Sequence, residues 1–162
     1  MRIAVLSDCH DRLENLQKVL DSVKDAEAVL FCGDYCAPFT LKMLAEGFHG
    51  PVHSVFGNND GDVFLLLKIA QEAGNVTFHQ PIARLELGGK RIAVAHYPEM
   101  GEALARSGQY DAVFSGHNHT AHVRIVGSTL WGNPGEVMGR FGKPSFGLYD
   151  TETNTFEICE VR

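Results

Sequence analysis

Five short clusters along the chain carry side chains that bind metal ions. They are Asp8-Cys9-His10, Gly33-Asp34, Gly57-Asn58-Asn59-Asp60, His96 and Gly116-His117-Asn118-His119. Their seven candidate ligands are Asp8, His10, Asp34, Asn58, His96, His117 and His119. Imidazole nitrogens together with carboxylate and amide oxygens suit two divalent transition metals held close together. Such a pair of ions polarises a phosphoryl group and generates hydroxide near neutral pH, so the set predicts hydrolysis of a phosphate ester.

The spacing inside the clusters indicates a shared site. Asp8 and His10 are two residues apart, so on an extended exit from a strand their side chains point the same way. The same spacing separates His117 from His119. Asp34 is the natural bridging ligand, since one carboxylate can offer an oxygen to each of two ions. Glycines within three of the clusters allow the backbone to turn tightly toward the ions.

The elements that must position the first clusters alternate between apolar strands and amphipathic helices. The patterns predict strands over 2–7, 28–32 and 52–56, and helices over 12–24, 39–46 and 62–73. This rhythm favours a parallel sheet with right-handed crossovers. In such sheets functional groups gather outside the carboxyl ends of the strands, which is where these clusters fall.

The second half of the chain is predicted to be richer in strands. Gly88-Gly89 predicts a hairpin between strands 82–87 and 90–95. A helix is expected over 101–107, followed by strands over 112–115, 122–126, 129–131, 146–150 and 155–161. We expect two mixed sheets packed face to face with helices outside, in one domain over residues 1–162.

The composition narrows the class of protein. The chain has 162 residues, a net charge of -6 and 44% hydrophobic residues, as expected for one soluble domain. It has no run of Lys or Arg, so we expect no dedicated nucleic-acid groove. No apolar run reaches the roughly 20 residues that span a bilayer, and the start lacks the features of a signal peptide. The four cysteines lack CxxC spacing, which favours reduced thiols and a cytoplasmic protein.

The five clusters in this order resemble those of the calcineurin-like metallophosphoesterase superfamily, and the length is similar to that of its small YfcE-like phosphodiesterase branch. The turn at Asn133-Pro134-Gly135 also recurs in that branch. The resemblance covers nearly the whole chain. It implies an α/β (α+β) fold, a four-layer αββα sandwich of two mixed sheets flanked by helices, with no cap domain.

The resemblance also implies a role for each ligand. Asp8, His10 and His119 would bind one ion, Asn58, His96 and His117 would bind the other, and Asp34 would bridge them. A hydroxide shared by the two ions would attack phosphorus in line. We expect two divalent ions, Mn²⁺ first, although Ni²⁺, Fe²⁺, Zn²⁺ or Co²⁺ would fit the same nitrogen and oxygen ligands.

Asn59 departs from the pattern of many family members, which have His after the ligand Asn. Asn can donate a hydrogen bond but cannot act as a general acid at neutral pH. We therefore predict that Asn59 contacts the substrate without protonating the leaving group, and that aryl phosphodiesters react better than alkyl phosphomonoesters. Asp60 is expected to orient the loop or a ligand.

Several residues keep a simpler interpretation. An isolated Asp or Asn after a strand often only makes a turn or caps a helix. The histidines outside the clusters are expected to be surface or packing residues, with His122 the nearest to a cluster. Cys9 is either a small residue in a tight loop or a redox group. The basic residues that could meet a phosphate or merely face solvent are Arg12, Arg140 and Lys143.

Three functions remain open on this basis. The first is a dinuclear phosphodiesterase acting on small phosphodiesters. The second is a protein-binding scaffold with weak or no activity, of the retromer subunit 29 type, and the third is a phosphomonoesterase of the same fold. The presence of all seven ligand positions favours an enzyme. A homo-oligomer would cover the edges of the outer sheet, and the sequence sets no number of subunits.

Overall fold

The computed structural model describes residues 1–162 and contains eleven strands and four helices. The strands are β1 (Arg2–Leu6), β2 (Ala28–Phe31), β3 (Val52–Ser54), β4 (Val76–Phe78), β5 (Ala83–Leu87), β6 (Lys90–Val94), β7 (Ala112–Phe114), β8 (His122–Val126), β9 (Thr129–Asn133), β10 (Ser145–Asp150) and β11 (Thr155–Glu160). The helices are α1 (Leu13–Ser22), α2 (Pro38–Gly47), α3 (Val63–Ala73) and α4 (Pro98–Arg106). None of the helices combines the length and apolar character needed to cross a membrane.

Both sheets mix parallel and antiparallel pairs. The six-stranded sheet has the order β11-β10-β1-β2-β3-β4, in which β1 to β4 run parallel, β10 pairs antiparallel with β1, and β11 pairs antiparallel with β10. The five-stranded sheet has the order β5-β6-β7-β9-β8, in which β6, β7 and β9 run parallel. In such sheets functional groups lie in the loops that follow the carboxyl ends of parallel strands. Loops of this kind follow β1, β2, β3, β6 and β7.

Apolar side chains form three clusters, each packed between two neighbouring layers of helices or strands. The largest cluster joins α1, α2 and α3 to the outer face of the six-stranded sheet and includes Leu16, Phe31 and Leu44. A second cluster fills the space between the sheets. A smaller one packs α4 on the five-stranded sheet around Trp131 and Ala105. The order is helices, sheet, sheet, helix, which confirms the predicted αββα sandwich.

Two predictions about the elements need correction. Strand β4 was not predicted, because three residues are too few for an alternating pattern to be read from sequence and the strand exists through its pairing with β3. Helix α4 begins at Pro98 and not at residue 101, since proline is well suited to the first turn of a helix. The other predicted elements are present with ends shifted by at most three residues.

Candidate metal centre

All seven predicted ligands lie in loops that follow strand ends. Asp8 and His10 follow β1, Asp34 follows β2, and Asn58 comes after β3. The remaining three follow strands of the other sheet: His96 after β6, and His117 and His119 after β7. The loops of both sheets meet at one end of the sandwich, so the structure brings the seven side chains together.

The first group of ligands consists of Asp8, His10 and His119. Their ligand atoms lie within 4.8 Å of one another. The Oδ1 atom of Asp8 is 3.7 Å from Nε2 of His10 and 3.5 Å from Nε2 of His119. The two imidazole rings stack with centroids 5.2 Å apart. Two nitrogens and a carboxylate oxygen thus face a common point, as an N/O site for a divalent ion requires.

The second group consists of Asn58, His96 and His117. The side-chain oxygen of Asn58 lies 2.9 Å from Nε2 of His96 and 2.9 Å from Nδ1 of His117. Asp34 lies between the groups, because its Oδ2 atom is 3.5 Å from Nε2 of His10 and 3.6 Å from Nε2 of His96. One carboxylate therefore reaches histidines of both groups.

The backbone at the ligands is turned sharply. Left-handed φ angles occur at Asp8 (54°), His10 (44°), Asp34 (65°), His117 (69°) and His119 (58°). The extended exit predicted for Asp8 and His10 is therefore wrong. Such angles cost energy in residues other than glycine and are concentrated at functional sites. Here they turn the chain immediately after each strand, so side chains from successive loop residues reach the same centre.

Two glycines permit backbones and ligands to approach closely. A Cβ atom at Gly57 would lie 2.1 Å from Oδ1 of Asp34, and one at Gly116 would lie 1.8 Å from Oγ of Ser7. Both distances are far below van der Waals contact. Any side chain at either position would push a ligand loop away from its neighbour, which accounts for the glycines in these clusters.

The outer nitrogens of two histidines are held by acceptors. Nδ1 of His96 donates to the backbone carbonyl of Cys32 at 2.7 Å, and Nδ1 of His119 donates to Oε2 of Glu136 at 2.8 Å. With the proton on Nδ1, the lone pair of Nε2 faces the centre. This arrangement fixes both the tautomer and the ring orientation that metal binding needs.

The carboxylates are oriented by their own donors. Asp8 accepts hydrogen bonds at Oδ2 from the Ser7 hydroxyl and from the backbone N–H of His117. Asn59 donates its backbone N–H to Oδ1 of Asp34 at 2.8 Å and its side-chain amide to Oδ2 at 2.9 Å. Both carboxylates are therefore fixed in direction by hydrogen bonds from neighbouring loop residues.

Asp60 organises the loop around the centre. Its carboxylate accepts backbone N–H bonds from Gly57 at 2.7 Å, Cys36 at 3.0 Å and Asp34 at 3.2 Å. These bonds tie the loop after β3 to the loop after β2. Burial raises the pKa of Asp60 above its usual value, although the three N–H donors act in the opposite direction.

Unpaired atoms and local charge both fit a cation at the first group. Oδ1 of Asp8 and Nε2 of His10 are buried and have no hydrogen-bond partner. Buried polar atoms rarely lack a partner, and a divalent ion would bind both. The carboxylate of Asp8 raises the pKa of His10, and the charge of Asp34 adds to this against the effect of burial. The site therefore favours positive charge, and its donor set fits a divalent ion.

Glu136 is a functional residue that sequence reasoning missed. It is buried, and Oε1 accepts the backbone N–H groups of Phe141 and Gly142 while Oε2 accepts from His119. Burial acts to raise its pKa, but the bonds from His119 and the two N–H groups together hold that pKa below its usual value. The only available signal was an acid directly after Asn133-Pro134-Gly135.

The remaining candidates lie outside the two groups. Cys9 is buried, and burial raises its pKa to about 12, which favours the simple packing interpretation. His53 and His79 pair with each other at 3.2 Å, and His122 packs on the ring of Trp131.

The three basic residues differ in their surroundings. Arg12 precedes α1 without capping it, and Lys143 pairs with Glu160. Arg140 lies over the ring of Phe141, close to the first group.

Comparison with known proteins identifies relatives over the whole fold. Residues 1–154 match the family described as calcineurin-like phosphoesterase superfamily domain. Phosphodiesterase MJ0936 of Methanocaldococcus jannaschii is 30% identical over 161 residues, which cover 96% of this chain and 96% of that protein. A solved archaeal phosphodiesterase is 28% identical and superposes with a TM-score of 0.91 over 99% of each chain.

More distant structures share the fold. YfcE from E. coli superposes with a TM-score of 0.67 at 20% identity over 100% of each chain. Wild-type Vps29 from Entamoeba histolytica, complexed with Zn²⁺, does so with a TM-score of 0.69 at 19% identity over 100% of each chain. The chain belongs to the calcineurin-like phosphoesterase superfamily, and this match together with the relative from M. jannaschii confirms the predicted family, its small phosphodiesterase branch and the enzyme class.

Proposed function

We propose that the chain is a dinuclear metal-dependent phosphodiesterase that hydrolyses small phosphodiesters. The observation that carries this proposal is the convergence of seven side chains from five loops into two groups, with Asp34 between them. The relative from M. jannaschii, similar over nearly its full length, is named a phosphodiesterase. We propose two divalent ions, Mn²⁺ first, with Ni²⁺, Fe²⁺, Zn²⁺ or Co²⁺ as alternatives, since all seven ligands are nitrogen or oxygen donors that can bind any of these ions.

Each ligand has a defined part in this proposal. His10, His96 and His119 present Nε2 toward the centre, and the carboxylate of Asp34 is shared by the two groups. Two divalent ions there would supply hydroxide near neutral pH and neutralise charge on the phosphoryl oxygens. The chain itself supplies rigid orientation, because the outer nitrogens of His96 and His119 are already bonded.

Asn59 sets the proposed preference among phosphate esters. Its side-chain amide donates a hydrogen bond to Asp34, and an amide N–H is too weak an acid to protonate a leaving group at neutral pH. The reaction then depends on a leaving group that departs without protonation. We therefore propose that diesters with good leaving groups are hydrolysed well and alkyl phosphomonoesters poorly. Asp60, which holds the loop through three backbone N–H groups, acts by positioning.

The setting of the enzyme is also part of the proposal. All four cysteines are free of disulfides, which fits a reducing compartment, and we place the enzyme in the cytoplasm.

Strand β8 forms an open edge of the five-stranded sheet, with Ile125 exposed there. A homo-oligomer would cover such an edge. We treat residues 1–162 as one catalytic domain without a cap.

The experiment compares bis-p-nitrophenyl phosphate with p-nitrophenyl phosphate. Each is incubated with the protein as purified, then with EDTA, and then with excess Mn²⁺. Hydrolysis of the diester that EDTA abolishes and Mn²⁺ restores, at a higher kcat/KM than for the monoester, is the expected result. Preference for the monoester would make the enzyme a phosphomonoesterase and would remove the argument from Asn59.

A scaffold function of the Vps29 type would give a third outcome. Neither ester would be hydrolysed with Mn²⁺, Zn²⁺, Ni²⁺, Fe²⁺ or Co²⁺, although the protein remained folded. Circular dichroism on the same samples separates this result from loss of structure. The proposal predicts measurable diester hydrolysis with at least one of these ions.

A further inference from the structure

The loop over residues 138–144 is fastened to the first ligand group. Oε1 of Glu136 accepts the backbone N–H of Phe141 at 2.6 Å and that of Gly142 at 2.8 Å. Oε2 of the same carboxylate accepts from Nδ1 of His119 at 2.8 Å. One buried side chain therefore sets both the orientation of a ligand and the position of this loop.

Phe141 occupies an unusual position on that loop. Its ring centroid lies 5.1 Å from that of His119 with an angle of 89° between the rings, yet the residue is 73% exposed. An aromatic ring gains stability from burial, and here most of the ring remains open beside the centre. The backbone bonds to Glu136 hold the ring in place without covering it.

Arg140 adds an unpaired positive charge to the same surface. Its guanidinium carbon lies 5.7 Å from the centroid of Phe141, and the side chain forms no salt bridge. The chain as a whole has a net charge of -6, so the unpaired guanidinium of Arg140 beside the first ligand group is opposite in sign to the charge of the chain. Such a charge attracts an anionic ester.

Tyr97 provides a comparison beside the second ligand group. Its ring contacts those of His96 and His117, with centroids 5.1 Å and 4.9 Å away, and the residue is 39% exposed. It thus packs on two ligands of the second group and leaves less surface free. Phe141 contacts one ligand ring, is more open and has a cation over it, which is the arrangement of a stacking platform.

We propose that Phe141, with Arg140, binds a flat aromatic group esterified to the phosphate, so that the substrates are aryl or nucleoside phosphodiesters. This inference rests on the proposed phosphodiesterase function. A diester carries two organic groups, and when its phosphate lies at the ligands one group can extend past His119 over Phe141. Aromatic groups stack on such a ring, and the stacking does not depend on a particular base.

The test uses three diesters that share the p-nitrophenyl leaving group: the ethyl, phenyl and thymidine 5′ esters of p-nitrophenyl phosphate. The wild type is compared with Phe141→Leu, which keeps an apolar side chain, and with Tyr97→Leu as the matched removal of a ring that contacts ligand histidines. In Phe141→Leu, the ratio of kcat/KM for the phenyl or thymidine ester to that for the ethyl ester is expected to fall about fivefold or more. This fall should arise in KM, be absent from Tyr97→Leu and be reversed in Phe141→Trp.

The outcomes separate the possible sources of the effect. A larger fall for the thymidine ester identifies nucleoside diesters as the substrates, and a larger fall for the phenyl ester identifies small aryl diesters. Equal losses for all three esters in Phe141→Leu would overturn the inference and make Phe141 a positioning residue for His119.

A binding measurement keeps the inference independent of turnover. Calorimetry on the Mn²⁺-loaded protein compares phenylphosphonate with methylphosphonate. Tighter binding of phenylphosphonate that Phe141→Leu removes supports the aromatic surface even if no ester is hydrolysed, and in that case only the proposed function fails. Equal affinities in the wild type would overturn the aromatic surface while leaving the phosphodiesterase proposal standing.

Discussion

The two ligand groups of the centre differ in the charge around them. The first group contains the carboxylate of Asp8 and has Glu136 behind His119. The second has the neutral amide of Asn58, and the acceptor behind His96 is the backbone carbonyl of Cys32. Cation affinity rises with the number of charged oxygen ligands. We therefore infer that the first group binds its ion more tightly than the second.

Burial increases this difference. Asp8 is 0% exposed, whereas Asn58 lies at the surface of its loop. Charge interactions are stronger where water is excluded, so the carboxylate of the first group would attract a bound ion with little screening. We expect two such sites to be unequal even though they share Asp34, with the first group retaining an ion and the second exchanging it.

The largest expected effect comes from neutralising the first group with Asp8→Asn. The change removes its charge but keeps the side-chain shape. We expect Mn²⁺ affinity at the tighter site to fall to or below that of the other, and diester hydrolysis to fall at least about 100-fold. Elemental analysis after dialysis and initial rates measure both. Tight binding of two ions by this variant, verified as folded by thermal melting, would contradict the comparison.

A smaller effect is expected from Glu136→Gln. Gln can still accept a hydrogen bond, but the charge behind His119 disappears. Loss of a residue that orients a metal ligand typically costs 10–100-fold, so we expect about that loss of Mn²⁺ affinity at the tighter site only. Equilibrium titration with Mn²⁺ resolves the two sites. Glu152→Gln, at an exposed turn, is the control, and equal titration curves for the two variants would show that Glu136 does not act on the centre.

Asn58→Asp should reduce the difference in Mn²⁺ affinity between the two groups by strengthening the second. It places a charged oxygen where a neutral one lies between His96 and His117. We expect the weaker site to bind Mn²⁺ about tenfold more tightly, because ligand charge sets cation affinity. The same titration would show the two binding steps moving together. If the two Mn²⁺ affinities differed more in the variant than in the wild type, ligand charge would not explain which site binds more tightly.

The smallest effect concerns His53 and His79, which contrast with the histidines of the centre. Burial lowers the pKa of each, whereas His10 beside two carboxylates has a raised pKa. Below the usual histidine pKa of about 6.5 the unfolded chain binds more protons at these residues than the folded chain does. Their contribution to stability is therefore complete above that pH and is lost as pH falls through the lowered pKa values.

The matched variant for this prediction is His79→Gln, measured with EDTA present so that metal binding does not contribute. The fall in Tm between pH 7 and pH 5 should be smaller than in the wild type by no more than about 3 °C. A steeper fall in the variant would reverse the predicted sign.

Most of the fold could be predicted from local patterns. The alternation of strands and helices, and the Gly88-Gly89 hairpin between β5 and β6, follow from hydrophobic spacing and turn residues. Strand β4 could not be predicted in this way, because only the neighbouring β3 makes its three residues a strand. Local sequence therefore specifies the long elements, whereas the short edge strand β4 is specified by its pairing with β3.

The same distinction between local patterns and long-range contacts applies to the candidate metal centre. The seven candidate ligands could be located because six of them belong to short clusters of polar residues after a strand and His96 is a single histidine in the same kind of position. The orienting groups could not, since Glu136 reaches His119 across 17 positions and the carbonyl of Cys32 reaches His96 across 64. A backbone carbonyl has no sequence signal at all. Contacts of this kind depend on how distant loops meet, and so does the exposed ring of Phe141.

The most direct test of the account is the number of Mn²⁺ ions bound per chain in the wild type and in Asp34→Asn, by equilibrium dialysis with electron paramagnetic resonance on the same samples. Asp34 lies between His10 and His96, and its charge is the one that both groups share. The account predicts two ions with a magnetically coupled spectrum in the wild type, and loss of most binding and of the coupling in the variant. Two coupled ions in Asp34→Asn, with undiminished diester hydrolysis, would contradict it.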